Sequence, residues 1–300
     1  MFEKLFGLLG YEKKLLVTEQ PENITSEPSL EDHISKIGRY HNENFLKIEE
    51  AISHTQRDLE LLIGSSASKE SENTLIRLNT LLLGVWCESR LHKLVYEKNL
   101  FSEEERKLIY SGSNLEDKWK RSLEIALRRN KGIELEAPLG ASSLGYTTFK
   151  VYNEINGWID YYFVPVIKLR NKIAHSQWVN PFTNYQSGWE SSWTFKFCPD
   201  SKALLSNENI LTLKYKHELL KRIATAINNL SLANTAYNVQ DFDSTYMKIS
   251  EQVDKLSSLN KESLKSYREA LINGHNRKQL NIEKTIIEKL KSNYDLVPKQ

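Results

Sequence analysis

Apolar residues recur every three or four positions along most of the chain, a spacing typical of amphipathic α-helices. The segments with this spacing are residues 30–63, 73–97, a short stretch after Ser102, a stretch that opens at Asn114, 147–177, 211–232 and 237–290. Ser102 and Asn114 are residue types that cap helix N-termini. We therefore expect a mostly α fold.

The helix predicted over residues 147–177 has the longest unbroken apolar stripe. The stripe consists of Val151, Ile155, Ile159, Tyr162, Val166, Leu169 and Ile173. Pro165 lies inside this stripe and has no backbone N–H to donate. We expect one helix that continues across Pro165 with a kink and ends before Pro181.

Three further segments depart from the helical pattern. Residues 11–29 are polar, carry two prolines and predict a linker, and residues 193–197 alternate as in a short strand. Residues 237–290 predict two or three helices, with breaks near Asn260 and at Asn273-Gly274. The expected architecture is thus a helical bundle with a small β element and a C-terminal helical hairpin.

Composition and charge narrow the class of protein. The 41 basic and 39 acidic residues nearly cancel, so contact with nucleic acid has to be local. Cys87 and Cys198 are too few for a disulfide framework, which favours a reducing cytoplasm. We predict neither a secretion signal nor a membrane span. The apolar start, residues 2–9, is either a packed N-terminal helix or a weak interfacial anchor.

The segment Leu169-Arg-Asn-Lys-Ile-Ala-His-Ser contains the candidate chemistry. On a helix, Asn171 and His175 lie about 40° apart and opposite the apolar stripe, whereas Arg170 lies nearer the flank of the core. Arg268 and His275 have a similar spacing, but glutamate follows this arginine and we expect a helix break before the histidine. The asparagine beside Arg170 therefore makes the first pair the more specific one.

With this arginine, polar neighbour and histidine, the chain resembles the HEPN superfamily of ribonucleases, of the toxin and abortive-infection type in anti-phage defence. The resemblance implies a helical catalytic core over residues 70–235, between an N-terminal helical extension, 1–69, and a C-terminal helical appendage, 236–300. It also implies a homodimer with a composite site. Glu88, an acidic residue in an apolar helix, resembles an accessory site residue of these proteins; a salt bridge with Arg90 or another base is the alternative.

The chemistry that the resemblance implies is cleavage of RNA without a metal or other cofactor. The 2′-hydroxyl attacks the adjacent phosphate and leaves a cyclic phosphate. His175 would transfer the proton, and Arg170 would hold the phosphate charge. Asn171 would either orient the histidine or hold a phosphate oxygen.

Several side chains could bind the RNA itself. The candidate phosphate ligands are Lys118, Arg121, Arg128, Arg129, Lys168 and Lys172. A solvated helix face is the alternative for the basic helix over 118–131. The aromatic residues Trp178, Phe182, Tyr185, Trp189 and Trp193 could stack on unpaired bases or pack a loop onto the core. The remaining histidines are not paired at metal-ligand spacing, and we assign them no chemistry.

The resemblance implies an endoribonuclease that acts as a toxin or effector of prokaryotic defence. Its expected partners are RNA, with tRNA among the candidate substrates, a second copy of the chain, and an antitoxin or other defence-system protein. A catalytically silent binding module for RNA or protein is the first alternative. A helical scaffold that uses residues 237–290 as an interaction face is the second.

Overall fold

A computed structural model describes residues 29–183, 196–232 and 239–294, which are mostly helical. The helices in these ranges are α1 (Leu30–Gly64), α2 (Lys69–Val95), α3 (Glu103–Tyr110), α4 (Leu115–Lys131), α5 (Ala141–Leu144), α6 (Tyr146–Trp158), α7 (Val164–Ala174), α8 (Pro199–Asn207), α9 (Ile210–Ser231), α10 (Val239–Ser257) and α11 (Lys261–Tyr294). The predictions for residues 2–9, 11–28, Tyr185, Trp189 and Trp193 fall outside the described residues. The mostly α fold is confirmed.

The predicted helix starts at Ser102 and Asn114 are confirmed. The Ser102 hydroxyl accepts a hydrogen bond from the Glu105 N–H, and the Glu105 carboxylate accepts one from the Ser102 N–H at 2.6 Å, which completes a capping box. The Asn114 side chain accepts a hydrogen bond from the Asp117 N–H at 2.8 Å. These bonds satisfy backbone donors that a helix N-terminus leaves without intrahelical acceptors.

The chain continues as a helix across Pro165, as predicted, through a π-helical turn. This turn, Ile159–Phe163, joins α6 to α7, and the Val164 N–H donates to the Ile159 carbonyl five residues earlier. Pro165 cannot donate a backbone hydrogen bond and its ring crowds the preceding α-helical turn, so a wider turn before it relieves both problems. All seven residues of the predicted stripe are buried.

The same helix ends earlier than predicted, at Ala174. Ser176 adopts a left-handed conformation with φ of 63°. The Gln177 N–H donates to the Lys172 carbonyl at 2.9 Å and the Ser176 N–H donates to the Ile173 carbonyl at 3.0 Å, which is a Schellman motif. The helix is therefore closed by its own C-cap and not by Pro181.

One apolar cluster joins most of the helices. α1 contributes Phe45 and Ile52 to it, and α10 contributes Phe242 and Ile249. The predicted extension and appendage therefore share buried contacts with the predicted core, 70–235. α2 is central to this arrangement because it packs against α1 on one side and against α7 on another.

The C-terminal helices confirm one predicted break and correct the other. Asn260 separates α10 from α11 and accepts a hydrogen bond from the Ser263 N–H at 2.9 Å. The break predicted at Asn273-Gly274 is wrong, because α11 continues through it. A glycine inside a helix costs only about 1 kcal/mol, and α11 packs closely against α1 here: a Cβ placed on Gly64 would lie 3.1 Å from the His275 Cβ.

The β structure in the described residues is a single antiparallel bridge between Phe182 and Phe197. It falls where the sequence predicts a strand, but in these residues the pairing does not extend into one. Among the helices described, none combines the length and the apolar character that crossing a lipid bilayer requires.

Candidate functional site

Arg170 is positioned by a close contact between α2 and α7. Gly84 of α2 lies directly beneath its side chain: a Cβ placed on Gly84 would lie 2.8 Å from the Arg170 Cγ and 3.1 Å from the Val166 carbonyl oxygen. Real Cβ atoms essentially never approach other atoms below 3.0 Å. Glycine at this position therefore lets the two helices approach and fixes where the arginine emerges.

Glu88 follows Gly84 by one helical turn and forms an ion pair with Arg170. The base that pairs with Glu88 is thus Arg170, whereas the Arg90 Nη2 lies 3.5 Å from the Asn228 Oδ1. The Arg170 Nη1 also donates to the Asn171 Oδ1 at 2.8 Å. A guanidinium has five N–H donors, so these two bonds hold the group without using all of its donors.

His175 is the C-cap residue of α7, and its side chain is exposed. It follows Asn171 by one helical turn, and its backbone N–H donates to the Asn171 carbonyl at 3.1 Å. The structure thus brings Arg170, Asn171 and Glu88 together, and it leaves His175 at the open end of the same helix. The left-handed Ser176 after it turns the chain away from the helix axis.

A cavity of about 330 Å³ lies between α2, α4 and α7 beside Arg170. We call it the site pocket; its lining residues are Glu88, His92, Asn114, Leu115, Glu116, Lys118, Val164, Ile167, Lys168, Arg170 and Asn171. Two of the predicted phosphate ligands, Lys118 and Lys168, are therefore next to Arg170. Together these three cations face two carboxylates, Glu88 and Glu116, so the pocket has a small positive excess.

Two other predicted phosphate ligands are wrong, because their side chains are buried. Arg128 donates to the Glu124 carboxylate at 2.9 Å and to the carbonyl of Ala137 at 2.8 Å, so it anchors the loop after α4. The Lys172 Nζ donates to the carbonyl of Phe182, and burial lowers the pKa of this lysine. Both cations stabilise the chain internally.

The last two predicted phosphate ligands are more accessible but lie away from the site pocket. Arg129 forms an ion pair with Glu105 at 2.8 Å. Arg121 is half-buried and donates to the Leu108 carbonyl at 3.1 Å. Both residues connect α4 to α3, and neither lines the site pocket. Packing also accounts for Trp178, which lies against the small apolar cluster of Leu169, Ile173 and Leu205.

Sequence reasoning missed His92, which lines the site pocket one turn after Glu88. Its Nδ1 lies 2.6 Å from the Tyr110 hydroxyl, and its ring stacks on His41 of α1 at a centroid distance of 5.0 Å. Burial, with help from His41 and Lys118, lowers the pKa of His92 to about 4. The imidazole is therefore neutral at physiological pH. Its spacing of four residues from Glu88 was the one signal available in the sequence.

A second cavity, of about 410 Å³, lies on the other side of His92, between α1 and α2. We call it the α1 pocket; its lining residues are His41, Asn44, Lys47, Ile48, Val85, Glu88, Ser89 and His92. Glu88 and His92 thus border both cavities. None of this pocket was predicted from the sequence, because the register of α1 against α2 depends on long-range packing.

The described part of the chain contains no group of three or more His, Cys, Asp or Glu side chains placed to hold a metal ion. The polar groups that converge beside Arg170 are amides, cations and single carboxylates, a set suited to binding an anion. Comparison of the chain with protein-family models, with curated proteins and with solved structures found no match.

Proposed function

We propose that the protein is a metal-independent endoribonuclease of HEPN type, and that it acts as a toxin or effector in prokaryotic anti-phage defence. The observation that carries the proposal is the placement of Arg170. Its guanidinium is held by Glu88 and Asn171 beside the site pocket, five residues before the exposed His175. A fixed positive charge beside a proton-transfer group is what cleavage of a phosphodiester requires.

In the proposed reaction, a base removes the proton of the RNA 2′-hydroxyl, and the 2′-oxygen forms a bond to phosphorus. The bond from phosphorus to the 5′-oxygen breaks, and this oxygen takes up a proton. Histidine exchanges protons near neutral pH and can serve in either transfer. Arg170 would stabilise the charge on the phosphate oxygens, while Asn171 would hold the guanidinium in place through the bond that it already accepts.

The proposal includes a homodimer, because His175 does not line the pocket that Arg170 borders. A second copy would supply another exposed His175 and another Arg170 across a shared cleft. Activity per chain should then fall on dilution as the dimer dissociates, measured together with the mass of the species by light scattering. Activity per chain that stays constant through dissociation would exclude the composite site.

A catalytically silent RNA-binding module is the second candidate. The observation that favours it is the ion pair of Arg170 with Glu88, which already neutralises the cation that the reaction needs. Under this alternative, RNA binds in the site pocket and is released uncut.

The experiment that separates the candidates compares the wild type with His175→Ala, and uses His275→Ala as the matched control. Each protein is incubated with total RNA and with tRNA in EDTA, and the products are tested for a 2′,3′-cyclic phosphate end. We expect cleavage by the wild type and by the control, and a loss of about 10²- to 10⁴-fold in His175→Ala, the usual effect of removing a general acid or base. Intact RNA in all three samples would contradict the enzyme, and bound but intact RNA would support the silent module.

A further inference from the structure

The site pocket and the α1 pocket adjoin each other at one turn of α2, and we call the two together the groove. Glu88 and His92, which are one helical turn apart on α2, border both cavities. The two cavities, of about 330 and 410 Å³, are each of a size that encloses a small ligand. A ligand with repeating units could therefore place one unit on each side of this turn while its connecting group passes Arg170.

The wall of the groove is a rigid cluster of rings from three helices. His92 stacks between His41 and Tyr110, with centroid distances of 5.0 and 5.8 Å and interplanar angles of 14° and 18°. Tyr96 contacts both His41 and Tyr110, at centroid distances of 5.2 and 6.1 Å. The orientation of His92 is thus fixed before any ligand binds, which lowers the entropy cost of recognition.

The two ring nitrogens of His92 differ in their hydrogen bonding. Its Nδ1 is taken by the Tyr110 hydroxyl at 2.6 Å, and within the described residues its Nε2 has no hydrogen-bond partner. Because the ring is neutral near pH 7, it has no charge with which to attract phosphate. A neutral ring nitrogen in a fixed orientation suits a hydrogen bond with the edge of a nucleobase.

Cations stand at both ends of the groove. Lys47 lines the α1 pocket, and Lys118 and Lys168 line the site pocket. The carboxylates that line the two cavities are Glu88, which pairs with Arg170, and Glu116; Lys47 itself pairs with Glu50 at 2.7 Å. Alternation of cations with a neutral aromatic wall is the arrangement that binds a single strand, whose phosphates and bases alternate in the same way.

We propose that this groove binds the unpaired nucleotides on either side of the scissile phosphate. Lys47, Lys118 and Lys168 would contact phosphates, and the Nε2 of His92 would hydrogen-bond to the edge of a base. The proposal rests on the proposed ribonuclease function and adds to it the path of the substrate. Paired bases are stacked inside a duplex and cannot enter the two recesses, so the groove should select single-stranded RNA.

The first test measures binding without cleavage, in the His175→Ala protein. Fluorescence anisotropy is recorded for a fluorescein-labelled single-stranded oligoribonucleotide and for its duplex, over a series of KCl concentrations. We expect Lys47→Glu and Lys118→Glu each to weaken binding about tenfold and to reduce the salt slope by about 0.7 per lysine. Lys265→Glu is the matched control, because Lys265 is an exposed helical lysine paired three residues away with Glu262, as Lys47 is with Glu50. The proposal would be overturned if Lys265→Glu weakened binding as much as the groove variants do, or if the protein bound the duplex as tightly as the single strand.

A second measurement needs no substitution in the groove. The same protein is photo-crosslinked to the oligoribonucleotide carrying 4-thiouridine, and the adducts are located by mass spectrometry. Adducts on peptides from residues 41–48, 85–92 and 114–118 are expected, and adducts confined to other peptides would overturn the proposal. The double variant His92→Phe and Tyr110→Phe retains both rings without leaving the hydroxyl unpaired, and we expect it to weaken binding about fivefold, the value of one good hydrogen bond.

The two proposals fail in different ways. In one outcome, the wild type cleaves RNA while the lysine variants and the double variant bind it normally and the crosslinks fall elsewhere. This result would contradict the proposed groove and leave the proposed ribonuclease unaffected. If the wild type leaves RNA intact while the crosslinks fall in the groove, the ribonuclease is wrong and the groove is an RNA-binding site alone. Absence of RNA binding altogether would overturn both.

Discussion

Two arginine–histidine pairs with similar spacing lie in different surroundings. Arg170 and His175 belong to α7, and Arg268 and His275 belong to α11. Both arginines form an ion pair with a glutamate of α2. The spacing of the two pairs is therefore similar, and the charge of each arginine's partner is the same. What differs is the accessibility of the ion pair and of the histidine.

The glutamates show the first difference. Glu72, the partner of Arg268, has a side chain that is 6% exposed and also bonds to Lys69, whereas Glu88, the partner of Arg170, is 42% exposed and borders two cavities. Burial acts to raise the pKa of Glu72, but the bonds from Arg268 and Lys69 outweigh it and lower this pKa. The α11 pair thus stabilises the fold, whereas the α7 pair lines a surface that a ligand can reach.

The histidines show the second difference. His275 lies in the interior of a continuous helix, against Gly64 of α1. His175 caps the end of α7 and is exposed. A histidine that must meet a substrate can only be of the second kind. The candidate site thus differs from the structural ion pair in lying at a helix end and beside cavities, and not in residue spacing.

Removing each arginine in turn tests the difference between the two pairs with the largest expected effect. We expect Arg170→Ala to lower the single-turnover rate of RNA cleavage by about 10²- to 10³-fold, the usual cost of removing one group that stabilises transition-state charge. Arg268→Ala should leave the rate within about twofold. Rates of both variants at equal folded fraction check this. Similar losses in the two variants would mean that Arg170 has no role in the reaction that Arg268 lacks.

The contact beneath Arg170 can be tested through Gly84. Gly84→Ala adds a Cβ that would lie 2.8 Å from the Arg170 Cγ and 3.1 Å from the Val166 carbonyl. α2 and α7 would have to separate to admit this Cβ, which should lower the unfolding free energy by about 1–3 kcal/mol, measured by urea denaturation. The rate of RNA cleavage should fall as well. Gly157→Ala, where the structure shows no atom within 4 Å of the new Cβ, is the control. A Gly84→Ala protein as stable as this control would contradict the close approach of the helices.

The glutamate partners differ in their expected contribution to stability, and the contribution of Glu72 depends on pH. Because the pKa of Glu72 lies below its usual 4.5 in the folded chain, its carboxylate stabilises the fold above about pH 4.5, and this contribution is lost as pH falls through the lowered value. Glu72→Gln should therefore reduce the unfolding free energy at pH 7 by about 1–3 kcal/mol and converge with the wild type in acid. Glu88→Gln should change it by less than about 1 kcal/mol. Parallel pH curves for Glu72→Gln and the wild type, measured by urea denaturation, would contradict this.

The helices that carry the site could be predicted because their signals are local. The cap residues Ser102 and Asn114 stand beside the turns that they close, and the stripe from Val151 to Ile173 is readable along one helix. The candidate residues Arg170, Asn171 and Glu88 were identified through the resemblance to the HEPN superfamily, and the structure places these three together. That they carry out catalysis stays a prediction.

The parts that could not be predicted depend on contacts between distant segments or on unusual backbone. Ser176 ends α7 in a left-handed conformation that glycine more often adopts, so the helix end was placed too late. Arg128 belongs to a helix rich in basic residues, which usually face solvent, but its side chain donates to carbonyls of the following loop. His92 meets His41 only because α1 packs along α2, and periodicity does not fix that register.

The smallest expected effect concerns Gly274, which precedes the histidine of the structural pair. Gly274 lies inside the continuous α11, and the structure shows no atom within 4 Å of a Cβ placed on it. Gly274→Ala should therefore raise the unfolding free energy by about 0.5–1 kcal/mol, because alanine loses less backbone entropy than glycine on entering a helix. The mean residue ellipticity should not fall, and RNA cleavage should not change. Destabilisation with a loss of helical signal would mean that the chain breaks at Asn273-Gly274, as the sequence pattern alone predicts, and it would remove His275 from the helix on which the comparison with His175 depends.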